Sequence, residues 1–175
     1  MTASASGMCW MCDPQQYGYV TLGRTRVSRI VDENGTCYVV VPQSSHMRHH
    51  LLVVLKSANG RHKRGIIECT SADITSMGNR IAAWCEVLRH MGYDTVYTGC
   101  YSDSGHVHFH LIPFHFKAEK GFEGRALQWL AEREKTSDEK LFSNLNQEQK
   151  ESRVKEIEQL VAELLAAKKM AGNTI

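Results

Sequence analysis

The sequence predicts an α+β domain: a mostly antiparallel sheet of about five strands, one packed central helix and a C-terminal helical extension. Three patterns carry this. Short β-rich runs are joined by hairpin punctuation, as in Asp32-Glu33-Asn34-Gly35. One long segment around residues 71–91 repeats apolar residues at helical spacing. After residue 118 strand signals vanish and the chain becomes charged and helical. Hairpins with segregated helices argue for an antiparallel sheet, since parallel strands need crossovers. The division is 1–117 for the sheet-bearing unit and 118–175 for the extension.

In chain order, residues 1–8 are a loose start and 9–25 carry Gly and Pro punctuation, read as irregular. Strands are predicted over 26–31, 37–41 and 50–55, with 42–49 as connector and 56–69 as an exposed excursion. Thr70-Ser71-Ala72-Asp73 resembles a capping box with Asp in place of Glu. Ile74, Met77, Ile81, Cys85 and Leu88 follow on one helical face, and Gly92 is a natural stop. Strands over 95–101 and 106–112 flank a turn at 102–105. Helices are predicted over 122–135, around Leu127 and Leu130, and from Asn146, where Gln149 closes a capping box. In the second, Val154, Ile157, Val161 and Leu164 form a narrow stripe. It suits either a helix lying across the domain or a dimer or partner surface.

Composition narrows the function classes. The 175 residues suffice for one real core, with 42% hydrophobic and 23% charged. A formal net charge of +2 gives no basic field for nucleic acid. No apolar run approaches the ~18 residues of a membrane span. The first seven residues lack the basic and apolar regions of a signal peptide. A cytoplasmic protein is expected, and its six cysteines read as thiols or metal ligands rather than a disulfide framework.

The most informative segment is His106-Val107-His108-Phe109-His110-Leu111-Ile112. Strand side chains alternate between faces, so the three imidazoles project together, neighbours about 6.5–7 Å apart. Val107, Phe109 and Leu111 take the opposite face. Such a row can bind metal or run nucleophilic and acid–base chemistry near neutral pH. Near the N-terminus, Cys9-Trp10-Met11-Cys12 supplies two thiols, half of a tetrahedral zinc site or simply a pair of free thiols. Trp10 can pack over that loop.

The run from His106 to Ile112 resembles the signature of the histidine triad superfamily, three histidines alternating with apolar residues. His50-Leu51-Leu52-Val53-Val54-Leu55-Lys56 is similar to the family's upstream strand. The resemblance covers roughly residues 9–117. It implies a nucleotide hydrolase or nucleotidyl transferase acting at the α-phosphorus of a nucleoside phosphate. His108 would be the nucleophile and His110 would contact the phosphate or leaving group and assist proton transfer. A histidine at 110, rather than glutamine, points to the hydrolase-like branches. Backbone N–H groups of Ser102, Asp103, Ser104 and Gly105 would cradle phosphate oxygens. A zinc-containing subset pairs an N-terminal CxxC with the upstream His and the first triad His. The matching residues are Cys9, Cys12, His50 and His106, with His49 as rival to His50. Such a closed site makes the zinc structural. Resemblance also implies a homodimer.

Two segments depart from the family pattern. Ser102 and Asp103 replace the common Gln and Ser or Thr before the triad, and a carboxylate repels phosphate. Pro113-Phe114 replaces Pro-Arg, so one cationic contact is missing unless His115 or basic residues of 117–125 stand in. A nucleotide-binding sensor or partner module of the same fold, with little turnover, is the alternative. An open zinc site of three triad histidines is a third reading; about 13 Å end to end is too wide for one ion. The basic cluster Arg61-His62-Lys63-Arg64 reads as a solvated loop or a polyphosphate attractor. Cys37, Cys69, Cys85 and Cys100, like Trp84 and Trp129, read as packing residues.

Overall fold

The structure is a computed structural model describing residues 9–43, 47–56, 62–100, 105–115, 142 and 144–172. The helix expected over 122–135 lies outside the described residues, as do Ser102, Asp103 and Ser104.

A 3₁₀ turn at Trp10–Cys12 and a short helix α1 (Pro14–Tyr17) lead into β1 (Tyr19–Leu22) and β2 (Thr25–Ser28). These two strands form an antiparallel hairpin turning at Gly23, whose φ of 59° is the left-handed region glycine tolerates. This hairpin falls where irregular structure was expected. Tyr-Val-Thr-Leu before that glycine is its sequence signal. The chain then passes to β3 (Ile30–Glu33), β4 (Cys37–Val40) and β5 (Leu51–Leu55).

The predicted strand over 26–31 is therefore two strands broken at Arg29. Arg29 is 1% exposed, and its guanidinium donates to the carbonyls of Val41, at 3.0 Å, and Tyr17. Its backbone donates to Gly18 and accepts from Val41. One residue thereby hands the chain from the small hairpin to the main sheet. At the Asn34-Gly35 turn, the side-chain Oδ1 of Asn34 accepts from Thr36 N–H and Cys37 N–H, fixing the β3–β4 hairpin.

Helix α2 runs Ser71–His90. Its capping box is complete: Asp73 N–H donates to Thr70 Oγ1 and Thr70 N–H donates to Asp73. Gly92, with φ 91°, follows its end. β6 (Thr95–Cys100) and β7 (His108–Phe114) complete an antiparallel sheet of order β3-β4-β5-β7-β6. β7 begins two residues later than the sequence pattern predicts. Helix α3 (Gln147–Gly172) starts at the Asn146–Gln149 box, whose two reciprocal bonds are both 2.9 Å.

Alternation sorts the sheet into two faces. One face presents Val39, Val41, Leu51, Val53, Leu55 and Leu111 to Trp84 and Leu88 of α2 and to Leu160 and Leu164 of α3. Helix α3 thus lies across the domain and shares its core. The opposite face carries Tyr38, Val40, Leu52 and Val54, over which Met11 and Tyr17 pack. The even-numbered histidines of β7 belong to this second face, beside the N-terminal segment.

Candidate functional site

β5 and β7 are antiparallel neighbours, with Val54 opposite His108 and Leu52 opposite His110. At the start of β7, four side chains converge. The sulfurs of Cys9 and Cys12 and the Nδ1 atoms of His62 and His106 all lie within 4.8 Å of one another. The backbone turn Cys12 N–H to Cys9 O, 3.0 Å, brings the two thiols to one side. Tyr38 Oη donates to Met11 O at 2.7 Å and anchors that turn on the sheet.

The donor spacing can be tested against zinc. Zn–N bonds of about 2.05 Å and Zn–S bonds of about 2.3 Å at tetrahedral angles put N···N edges near about 3.3 Å and N···S edges near about 3.6 Å. The observed edges are 3.3 Å for His62–His106, 3.3 Å for Cys12–His62, 3.5 Å for Cys12–His106 and 3.7 Å for Cys9–His106. Protonation agrees. His106 Nε2 lies 2.7 Å from Leu55 O and His62 Nε2 lies 2.5 Å from Gly105 O. A carbonyl only accepts, so each Nε2 carries the hydrogen and each Nδ1 turns its lone pair inward. Burial, the largest influence, lowers the pKa of His106 to about 4, so its ring is neutral at pH 7. Two sulfurs and two inward lone pairs fit a tetrahedral zinc with no open position.

His50 is not in this group. Its Nε2 lies 3.0 Å from His110 Nδ1. The antiparallel register explains why: Leu51 faces Leu111, so His50 enters the sheet at the far end of β7 from His106. The expectation that His50 and His106 meet is corrected by this geometry, and His62 takes the place given to His50. His62 sits beyond the other end of β5, where the strand delivers the chain beside His106. Its signal was present, a histidine a few residues after Lys56, but the flanking Arg61, Lys63 and Arg64 read as solvated loop. The rival His49 points elsewhere, between Tyr93 and Glu163.

The remaining triad members form a hydrogen-bonded series. His108, 4% exposed, has Nδ1 2.9 Å from the carbonyl of His106. That nitrogen must donate, which leaves the lone pair on His108 Nε2. His110 Nε2 lies 2.9 Å from it and must be the donor. His110 Nδ1 therefore accepts, and His50 Nε2–H supplies the hydrogen. Burial first, then His50 and His108, holds the pKa of His110 far below the ordinary histidine value. A neutral ring with hydrogen on Nε2 satisfies every one of these contacts. The arrangement presents an unprotonated nitrogen and an N–H donor side by side.

Among solved structures, the chain is similar to a zinc-bound histidine triad family protein from Mycobacterium smegmatis. Identity is 13% and the TM-score 0.55, over 83% of this chain and 87% of that one. It is also similar to a Hit-like protein involved in cell-cycle regulation from Bartonella henselae, at 15% identity and TM-score 0.51, over 81% and 87% of the two chains. The chain has the histidine triad fold. No family model matches the sequence, and no curated protein matches it.

Of the positions that depart from the family pattern, Phe114 is among the described residues, whereas Ser102 and Asp103 are not. Phe114 is 5% exposed and packs edge-on against Tyr97, ring centroids 5.0 Å apart. His115 stacks on Tyr93 at 4.3 Å. Gly105, with φ 64°, ends the turn before the triad, and its carbonyl holds His62. Residues 117–125 lie outside the described residues.

Proposed function

We propose that this protein is a nucleotide hydrolase or nucleotidyl transferase acting at the α-phosphorus of a nucleoside phosphate conjugate through a nucleotidyl-His108 intermediate. The observation that carries the reading is the tautomer of His108: Nδ1–H bound to His106 O, the Nε2 lone pair beside the Nε2–H of His110. His108 Nε2 attacks phosphorus and a P–N bond forms as the bond to the leaving group breaks. The imidazolium so created keeps its Nδ1–H on the His106 carbonyl. His110 Nε2–H turns to the departing oxygen or nitrogen and gives it a proton. Water, or the hydroxyl of another acceptor, then attacks the same phosphorus, returns a proton to His110 Nε2 and releases His108 as the P–N bond breaks. Two easier displacements replace one difficult one.

Cys9, Cys12, His62 and His106 would hold the zinc, which when bound supplies a crosslink between the N-terminal turn and the catalytic strand. Backbone N–H groups of 102–105 remain the proposed phosphate cradle. A homodimer is part of the reading; exposed Ile66 and Ile67, in the 3₁₀ turn before α2, and Ile74, in its first turn, offer apolar surface for it. A reducing, cytoplasmic compartment suits the thiolate ligands. No helix among the described residues is long and apolar enough to cross a membrane.

The test is incubation with a panel of phosphoramidate, adenylylated and dinucleoside polyphosphate conjugates, followed by mass spectrometry. A nucleotidyl adduct on wild type, absent from His108→Ala, is expected. Full turnover by His108→Ala would refute the covalent mechanism. Nucleotide binding without adduct or product would favour the sensor module instead.

A further inference from the structure

His49 is the non-glycine residue with positive φ, 60°, among the described residues. Histidine takes that conformation seldom, so the surroundings must hold it there. The ring is 6% exposed and bridges two elements distant in sequence. Nε2 lies 2.8 Å from Glu163 Oε2 on α3, and Nδ1 lies 2.7 Å from Tyr93 Oη after α2. A carboxylate accepts, so Nε2 donates to Glu163 and Nδ1 accepts the Tyr93 hydroxyl hydrogen. Glu163 is itself fixed. Arg48 donates to both its oxygens, at 2.6 and 2.7 Å, and Gln159 donates at 2.9 Å. Leu160 and Leu164, on either side of it in sequence, are 2% and 0% exposed in the core. The carboxylate thus meets Arg48, Gln159 and His49 on a helix whose neighbouring side chains are buried.

The next residue after His49 is His50, whose Nε2–H joins the lone pair of His108 in holding the hydrogen of His110 on Nε2. We propose that Glu163 of the C-terminal helix is a positioning residue for the histidine series. By holding His49 in its left-handed turn it aims His50 at His110 Nδ1, and so keeps the hydrogen of His110 on Nε2, beside His108. The helical extension then has a role in the site although none of its residues needs to touch substrate. The turnover arm of the test rests on the function proposed above; the spectroscopic arm does not.

Glu163→Ala removes the acceptor for His49, whereas Glu163→Gln retains one oxygen. Side-chain ¹⁵N–¹H spectra of ligand-free protein read the tautomer of each histidine. In wild type and Glu163→Gln, His110 should carry hydrogen on Nε2 alone. In Glu163→Ala it should populate both tautomers. On the best substrate of the panel, Glu163→Ala should lower kcat roughly tenfold with KM within about twofold, as expected for a misplaced catalytic group. Glu163→Gln should recover kcat to within about threefold of wild type. An unchanged His110 tautomer in folded Glu163→Ala overturns the proposal, whatever its turnover. A changed tautomer with wild-type kcat overturns the catalytic role. If Glu163→Ala does not fold, Glu163→Met keeps the length of the side chain without its acceptor for His49, and a wild-type His110 signal there overturns the proposal equally. If the chain turns over no conjugate at all, the function proposed above has failed, while the spectrum still decides the positioning.

Discussion

Replacing His62 and His50 separately by alanine distinguishes the two possible zinc sites. Two ligands of one zinc lie no more than about 5 Å apart, because each bond is about 2.0–2.3 Å. The β5–β7 register places His106 opposite Lys56 and His50 opposite Ile112. Six residues of strand at about 3.3 Å each separate them by roughly 20 Å, so His50 cannot replace His62. The thermal effect follows from linkage. Free zinc at about a thousand times Kd stabilises the fold by about 4 kcal/mol. An unfolding entropy of about 2.1 cal/mol/K per residue gives the chain about 0.37 kcal/mol/K, so losing that stabilisation lowers Tm by about 11 °C. Protein purified without metal affinity should carry near-stoichiometric zinc by elemental analysis, and so should His50→Ala. His62→Ala should lose most of it and melt about as low as the Cys9→Ala, Cys12→Ala double variant. Stoichiometric zinc in His62→Ala, with loss from His50→Ala, would refute the register argument.

The His106 ring makes stability depend on pH in a definite direction. Its pKa is about 4 folded against 6.5 unfolded, so between these values the unfolded chain binds more protons and stability falls as pH falls. For zinc-free protein the loss from pH 7 to pH 5 should be about 2 kcal/mol larger in wild type than in His106→Gln, measured by urea unfolding; equal slopes would sink the assignment. Sedimentation at micromolar concentration should give a dimer of about 40 kDa, twice the 19.8 kDa chain, and a monomer alone would exclude the homodimer.

Much of this molecule was legible from one-dimensional pattern. The α2 helix announces itself through Thr70–Asp73, a period of 3.6 and Gly92, all local signals that tertiary packing reinforces. The same holds for Asn146 and Gln149 at the start of α3. Alternation of histidine with Val107, Phe109 and Leu111 placed three imidazoles on one face before any strand pairing was known. The break at Arg29 was not legible. Its cause is the carbonyl of Val41, twelve residues later, and that of Tyr17, twelve residues earlier; no local propensity encodes a shared guanidinium.

The His50 and His62 exchange shows why ligand sets are harder to read than strands. Apolar periodicity identifies 50–55 and 106–112 as strands but is silent on whether they run parallel or antiparallel. In a parallel pair the two leading residues, His50 and His106, lie at the same end and a shared metal is natural. In an antiparallel pair the leading end of one strand meets the trailing end of the other. The residue available to His106 then comes from the chain leaving β5, which is where His62 lies, and His50 is delivered to His110 instead. The metal group and the histidine series are thus two consequences of one choice of strand direction. The same direction hands His49, one residue before His50, to Glu163 of α3, a contact that no local pattern encodes.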